Sequence, residues 1–178
     1  MNIDMKIGSE ITMTNTPSAI MENKAVILLN EARTAHENYL IKQQDADLEK
    51  AIECYIDAIK INPSISESYY RLASLLLVKG QISVEGALEQ CRTAISLEPT
   101  NVNAHIYSGY FQCLNGNFEE AEKEFQLAVS NSGKNSARPR LFLSKLLFSR
   151  IKNHNSSVKD VMRFLYYFLS GSMMIMWD

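Results

Sequence analysis

At 178 residues with 46% apolar side chains, the chain is long enough to bury one domain-sized core. Its net charge of −2 hides an asymmetry: residues 1–133 carry 10 Lys/Arg against 18 Asp/Glu, a balance of −8, while residues 134–178 carry 8 against 2, a balance of +6. An acidic body opposes the phosphate backbone, so nucleic acid is not an expected partner, and the basic last quarter is set apart as a segment with its own surface.

Residues 1–20, MNIDMKIGSEITMTNTPSAI, mix Thr, Ser, Asn and Pro without a period and read as a flexible leader. No charged n-region precedes an apolar core there, so no secretory signal is expected. From about Met21 to Gln44 the stripe Leu28, Ala32, Ala35 and Tyr39 predicts a long helix. Asp47 opens a second helix, acidic in its first turn as the helix dipole prefers, carrying Ala51, Tyr55 and Ala58 on one face and closed by Pro63. A first-helix pattern comes next as Tyr69-x2-Leu72-Ala73-x2-Leu76, ending near Gly80. Its partner carries Ala87, Cys91 and Ala94 and is closed by Pro99.

The stretch Asn101 to Ser130 repeats the arrangement. Ala104, Ser108 and Gly109 are small where a second helix must approach closely. Asn115-Gly116-Asn117 breaks the helix, and Ala121, Phe125 and Ala128 then fall at i, i+4, i+7, with Gly133 in the place of the closing proline. The second-helix positions recur at 36 residues (Ala51 to Ala87) and at 34 (Ala87 to Ala121), which places two extra residues in the Ser83–Gly86 turn. Ala32 to Ala51 is 19 residues against 12 for Gly109 to Ala121. The excess of seven, about two helical turns, points to an extended first helix in the first unit.

Arg138 to Lys152 reads as one further first helix with Pro139 in its first turn, and the alanine–aromatic pattern of a second helix is missing after it. Asn153–Ser157 breaks the chain before a last helix from Val158. Phe164 to Trp177 contains no charge; its 14 residues span about 21 Å as a helix against ~30 Å for a bilayer core. With Val161, Met162 and a snorkelling Arg163 it reaches the lower end of the spanning range, and a basic flank lies upstream. Three readings stay open for residues 161–178: a cap on the last repeat, a membrane anchor, or the start of a helix that meets a continuation.

Ala121-x3-Phe125 with Gly109, together with the 34-residue recurrence, resembles the tetratricopeptide repeat, whose pattern is W-x2-L-G-x2-Y, then A-x3-F, then P. The resemblance covers about Ala25 to Ser130. It implies an all-α solenoid of antiparallel helix pairs, a right-handed superhelix, with repeats at about 21–63, 64–99 and 100–133, then a partial repeat and an apolar C-terminal helix over 134–178. Family members line a concave groove with side chains from their first helices. By register those are here Tyr70, Ser74, Leu77, Asn103, Ile106, Tyr110 and Arg140. The family's peptide-carboxylate clamp of Lys, Asn and Arg is not reproduced, because Tyr70, Ser74, Asn103 and Tyr107 occupy most of the equivalent sites.

An apolar, aromatic groove favours a peptide or an amphipathic helix of a protein partner. The expected function is therefore a non-catalytic, cytoplasmic interaction scaffold; the alternative is a membrane-tethered assembly factor held by the C-terminal helix. Nucleophile-elbow, zincin, P-loop and dinucleotide motifs are absent, so neither an enzyme, a small-molecule substrate, a cofactor nor a metal is expected. His36, His105 and His154 stand alone, and His105 is read as a packing residue. Glu119, Glu120, Glu122 and Glu124 are read as a solvated face. Cys54, Cys91 and Cys113 are odd in number, lack a C-x-x-C, and are expected as reduced, buried thiols.

Overall fold

The computed structural model describes residues 16–133 and 136–152, the last three without their side chains. These residues form seven helices and no strand. They fall into two compact units, divided between Ser68 and Tyr69, which are taken in turn.

The first unit is built on α1 (Pro17–Lys42) and α2 (Asp45–Ile61). α1 starts inside the stretch expected to be a leader. Thr16 caps it, its hydroxyl accepting from the Ala19 N–H at 3.3 Å, and Pro17 occupies a first-turn position where no N–H is needed. At 26 residues α1 is twice the length of the later first helices, as the wide Ala32–Ala51 spacing requires. The turn to α2 takes only Gln43 and Gln44; Gln43 adopts the left-handed conformation, φ 55°, and its N–H returns to the Tyr39 carbonyl. Ala25, Ala32, Ala51 and Ala58 are fully buried, so the two backbones can approach closely. Tyr55 fills the remaining volume at 0% exposure and meets His36 edge-on. Arg33 forks onto the Glu67 carboxylate, Nε to Oε1 at 2.8 Å and Nη2 to Oε2.

The second unit takes the rest of α3 (Ser66–Val78), then α4 (Val84–Leu97), α5 (Val102–Leu114), α6 (Phe118–Asn131) and α7 (Arg138–Lys152). α3 and α5 are both 13 residues long, and α4 and α6 are both 14. The ends of α3 and α5 match in detail. The Gln81 N–H bonds the Leu76 carbonyl and the Gly80 N–H bonds Leu77; one repeat later, Asn117 bonds Gln112 and Gly116 bonds Cys113. Gly80 and Gly116 take φ +70° and +78°, the left-handed position that this helix stop assigns to glycine.

The α3–α4 turn spans Lys79–Ser83 and the α5–α6 turn spans Asn115–Asn117. The two extra residues of the middle repeat therefore lie upstream of the place expected for them. Ser83 caps α4, accepting from the Gly86 N–H at 3.2 Å, which puts Gly86 inside the helix.

Tyr70 and Ala73 of α3 pack with Ala87, Leu88, Cys91 and Ala94 of α4 and with Ala104 and Phe111 of α5. Ala121 and Phe125 of α6 pack with Leu143, Leu146 and Leu147 of α7. From α3 to α7 each helix thus buries its face on the next, an all-α solenoid arrangement in which no pair could hide its apolar stripe alone. Gly109 marks a close approach: a Cβ there would lie 2.6 Å from Cε1 of Phe125. No helix among the described residues is long and apolar enough to cross a membrane. The apolar helix expected over 161–178 lies outside the described residues.

Candidate functional site

Charge in the second unit is sorted by helix. Residues 69–78 hold Arg71 and no carboxylate, α5 holds no Lys, Arg, Asp or Glu, and α7 holds five basic residues and no acid. The carboxylates sit on the second helices instead, Glu85 and Glu89 on α4 and Glu119, Glu120, Glu122 and Glu124 on α6. The two kinds of helix therefore present chemically different surfaces.

On the first-helix side, α5 and α7 enclose an open pocket of about 200 Å³ lined by Ile106, Tyr107, Tyr110, Arg138 and Phe142. That volume lies below the ~300–1,000 Å³ usual for small-molecule sites and suits one large apolar side chain. Phe142 is held by stacking on Phe125, ring centroids 5.7 Å apart. Tyr107 is held between Tyr70 at 5.0 Å and Phe111 at 6.1 Å. Tyr110 is 47% exposed and leans on Phe111. Arg138 stands at the rim, its Nη1 donating a long hydrogen bond of 3.3 Å to Asn103 Oδ1.

Of the residues expected to line a groove, Ile106 and Tyr110 line this pocket and Asn103 borders it through Arg138. Tyr70 is 1% exposed and belongs to the α3–α4–α5 core, supporting Tyr107 from beneath. Leu77 packs against the same core, and Ser74 donates to the Arg71 carbonyl of its own helix. Arg140 turns away: Nη1 donates to the Ser136 carbonyl at 2.7 Å and Nη2 reaches Gly133, tying down the approach to α7. Phe142, two residues on, and Arg138, one turn before it, line the pocket instead; neither was expected there.

His105 is a second departure. It is 4% exposed, as a packing residue would be, yet both ring nitrogens are engaged, Nδ1 with Glu124 Oε2 at 2.7 Å and Nε2 with the Pro99 carbonyl at 2.9 Å. The hydrogen bond it donates to Glu124 raises its pKa, with the Pro99 carbonyl and the Glu124 charge adding to this against the opposing effect of burial. Glu124 is thus a structural carboxylate joining α6 to α5 and not part of a solvated face. Among the described residues no group of three His, Cys, Asp or Glu side chains could hold a metal ion. Cys54 and Cys91 are buried and Cys113 partly so.

The family profile of the tetratricopeptide repeat matches residues 40–65. Solved structures of similar fold include the first such domain of human RPAP3, 18% identical over 76% of this chain and 99% of that one, with a TM-score of 0.60. The first domain of Spaghetti (RPAP3) bound to the HSP90 peptide SRMEEVD is 19% identical over 72% and 96%, TM-score 0.59. The Sgt2 domain from Aspergillus fumigatus is 18% identical over 82% and 87%, TM-score 0.61. At such identities the likeness is one of fold.

Proposed function

We propose that this tetratricopeptide-repeat chain is a non-catalytic scaffold that holds a peptide or amphipathic helix of a partner protein on the first-helix face of its second unit. The observation that carries the reading is the open aromatic pocket between α5 and α7, with a half-exposed tyrosine at its mouth and no carboxylate among the described residues that line it. An exposed aromatic beside a preformed apolar cavity is the kind of site where a single partner side chain supplies much of the binding energy. The similar domain of Spaghetti was solved with a seven-residue HSP90 peptide, which supports a short segment as the form of ligand. The fold itself serves many processes, so the partner is not named by it.

Selection of a displayed peptide library on the full chain tests the reading. Selected peptides should bind Tyr110→Ala about tenfold more weakly, the loss expected for truncating a central interface aromatic. They should also slow amide exchange in α5 and α7. Peptides that bind Tyr110→Ala as tightly as the parent and protect α4 or α6 instead would overturn it.

A further inference from the structure

The sorting of charge by helix says more about the ligand than the pocket alone does. Arg138 is the first residue of α7, where the positive end of the helix dipole disfavours a cation and a carboxylate would be the stabilising choice. Arg140, in the same turn, is compensated by the loop carbonyls of Ser136 and Gly133. Among the described residues Arg138 has no such compensation: its one hydrogen bond there is the long one to Asn103, and it makes no ion pair with them. Lys145, about two turns further along α7, is exposed and stands 5.9 Å from the Phe142 ring centroid. Among the described residues the pocket therefore has an apolar floor, a guanidinium at its rim and no carboxylate to neutralise it.

From this arrangement, and resting on the groove reading of the same pocket, we infer that the bound segment is an apolar anchor flanked by acid. One large aliphatic or aromatic side chain enters the cavity over Ile106 and Phe142, and an Asp or Glu side chain within about one helical turn of it, ~5 Å, pairs with Arg138. The acid is an internal side chain, so the segment needs no free C-terminus. Because Arg138 is exposed, its share of the affinity is modest, and its larger effect is on discrimination and salt dependence. A neutral segment with the same anchor still binds. A segment with Lys or Arg flanking the anchor is rejected by like charge.

Peptide selection is run in parallel on the full chain and on Arg138→Glu, with Arg138→Gln as the neutral control. Glutamate at the first helical position suits the dipole, so the variant keeps its fold. The parent should enrich Asp or Glu beside the apolar anchor, and Arg138→Glu should enrich Lys or Arg there. For one selected peptide with amidated ends, exchanging the flanking acid for its amide should weaken binding to the parent about three- to fivefold, and leave binding to Arg138→Gln unchanged. Anchors enriched without acidic bias, or a bias that survives Arg138→Glu, would overturn the inference while leaving the groove reading intact. Failure to enrich any anchored peptide on the parent would remove both.

Discussion

Gly109→Leu is expected to destabilise the chain by about 3 kcal/mol or more, at the upper end of what overpacking a core costs. A single added carbon would stand 2.6 Å from Cε1 and 2.8 Å from Cδ1 of Phe125, closer than atoms pack. The ring has no retreat, because Phe142 stacks on it and Leu143, Leu146 and Leu147 close the same cluster. The helices must therefore part, and α7 loses its support together with α5 and α6. Urea denaturation should show a lowered midpoint, with amide protection lost first in α5 and α6. Combining Gly109→Leu with Phe125→Ala should cost less than the two changes summed, since the second makes the room that the first requires. An unchanged midpoint for Gly109→Leu would contradict the packing.

The second large effect is expected at His105, and it depends on pH. A neutral imidazole can donate from one nitrogen only, whereas Glu124 and the Pro99 carbonyl both accept. Donation at both positions belongs to the imidazolium, which agrees with the raised pKa. A group whose pKa is raised by folding stabilises the fold fully below its unfolded value, about 6.5, and loses that contribution as pH rises through its folded value. His105→Gln, which can donate to only one of the two acceptors at a time, should therefore cost about 2–3 kcal/mol near pH 6, the scale of lost charged hydrogen bonds. The gap between parent and variant should narrow towards alkaline pH. Urea midpoints of the two proteins from pH 5.5 to 9 measure it directly. Cys91 on α4 also lies near Glu124, but its thiol is pushed up to about 12 by burial and by that carboxylate, and does not titrate in this window. A pH-independent gap would mean that His105 is held neutral.

Much of this fold is legible along the chain because its packing is local. Ala121 and Phe125 mark a buried stripe, Gly109 marks a close crossing, and Gly80 and Gly116 mark helix stops, each through a physical demand that one residue type meets. What the spacing misses depends on contacts across helices. Nothing in the local pattern of His105 announces Glu124, 19 residues away on the neighbouring helix. The Thr16–Pro17 cap does signal the start of α1, but the aperiodic composition around it masks that signal.

At the site, the α5 stripe directs attention to Ile106 and Tyr110, since its register is anchored by two preceding repeats. The α7 side is harder, with no alanine–aromatic pattern after it to fix the register. By register Arg140 faces the groove, and only the course of the preceding loop, whose carbonyls it meets, turns it away and leaves Arg138 at the rim. Tyr70 is a groove residue by register, and the bulk of Tyr107 above it turns it into core.

The three thiols make stability measurable repeat by repeat. Cys54 lies in α2, Cys91 in α4 and Cys113 in α5, and burial leads the causes that raise the pKa of each. A thiol in that condition reacts with an alkylating reagent chiefly while its surroundings are open and the thiolate can form. Under native conditions the modification rate of each cysteine thus counts how often its own helix pair loosens. The chain carries this set of internal clocks without any engineered label, and reading them along the array would show whether it opens as one body or one repeat at a time.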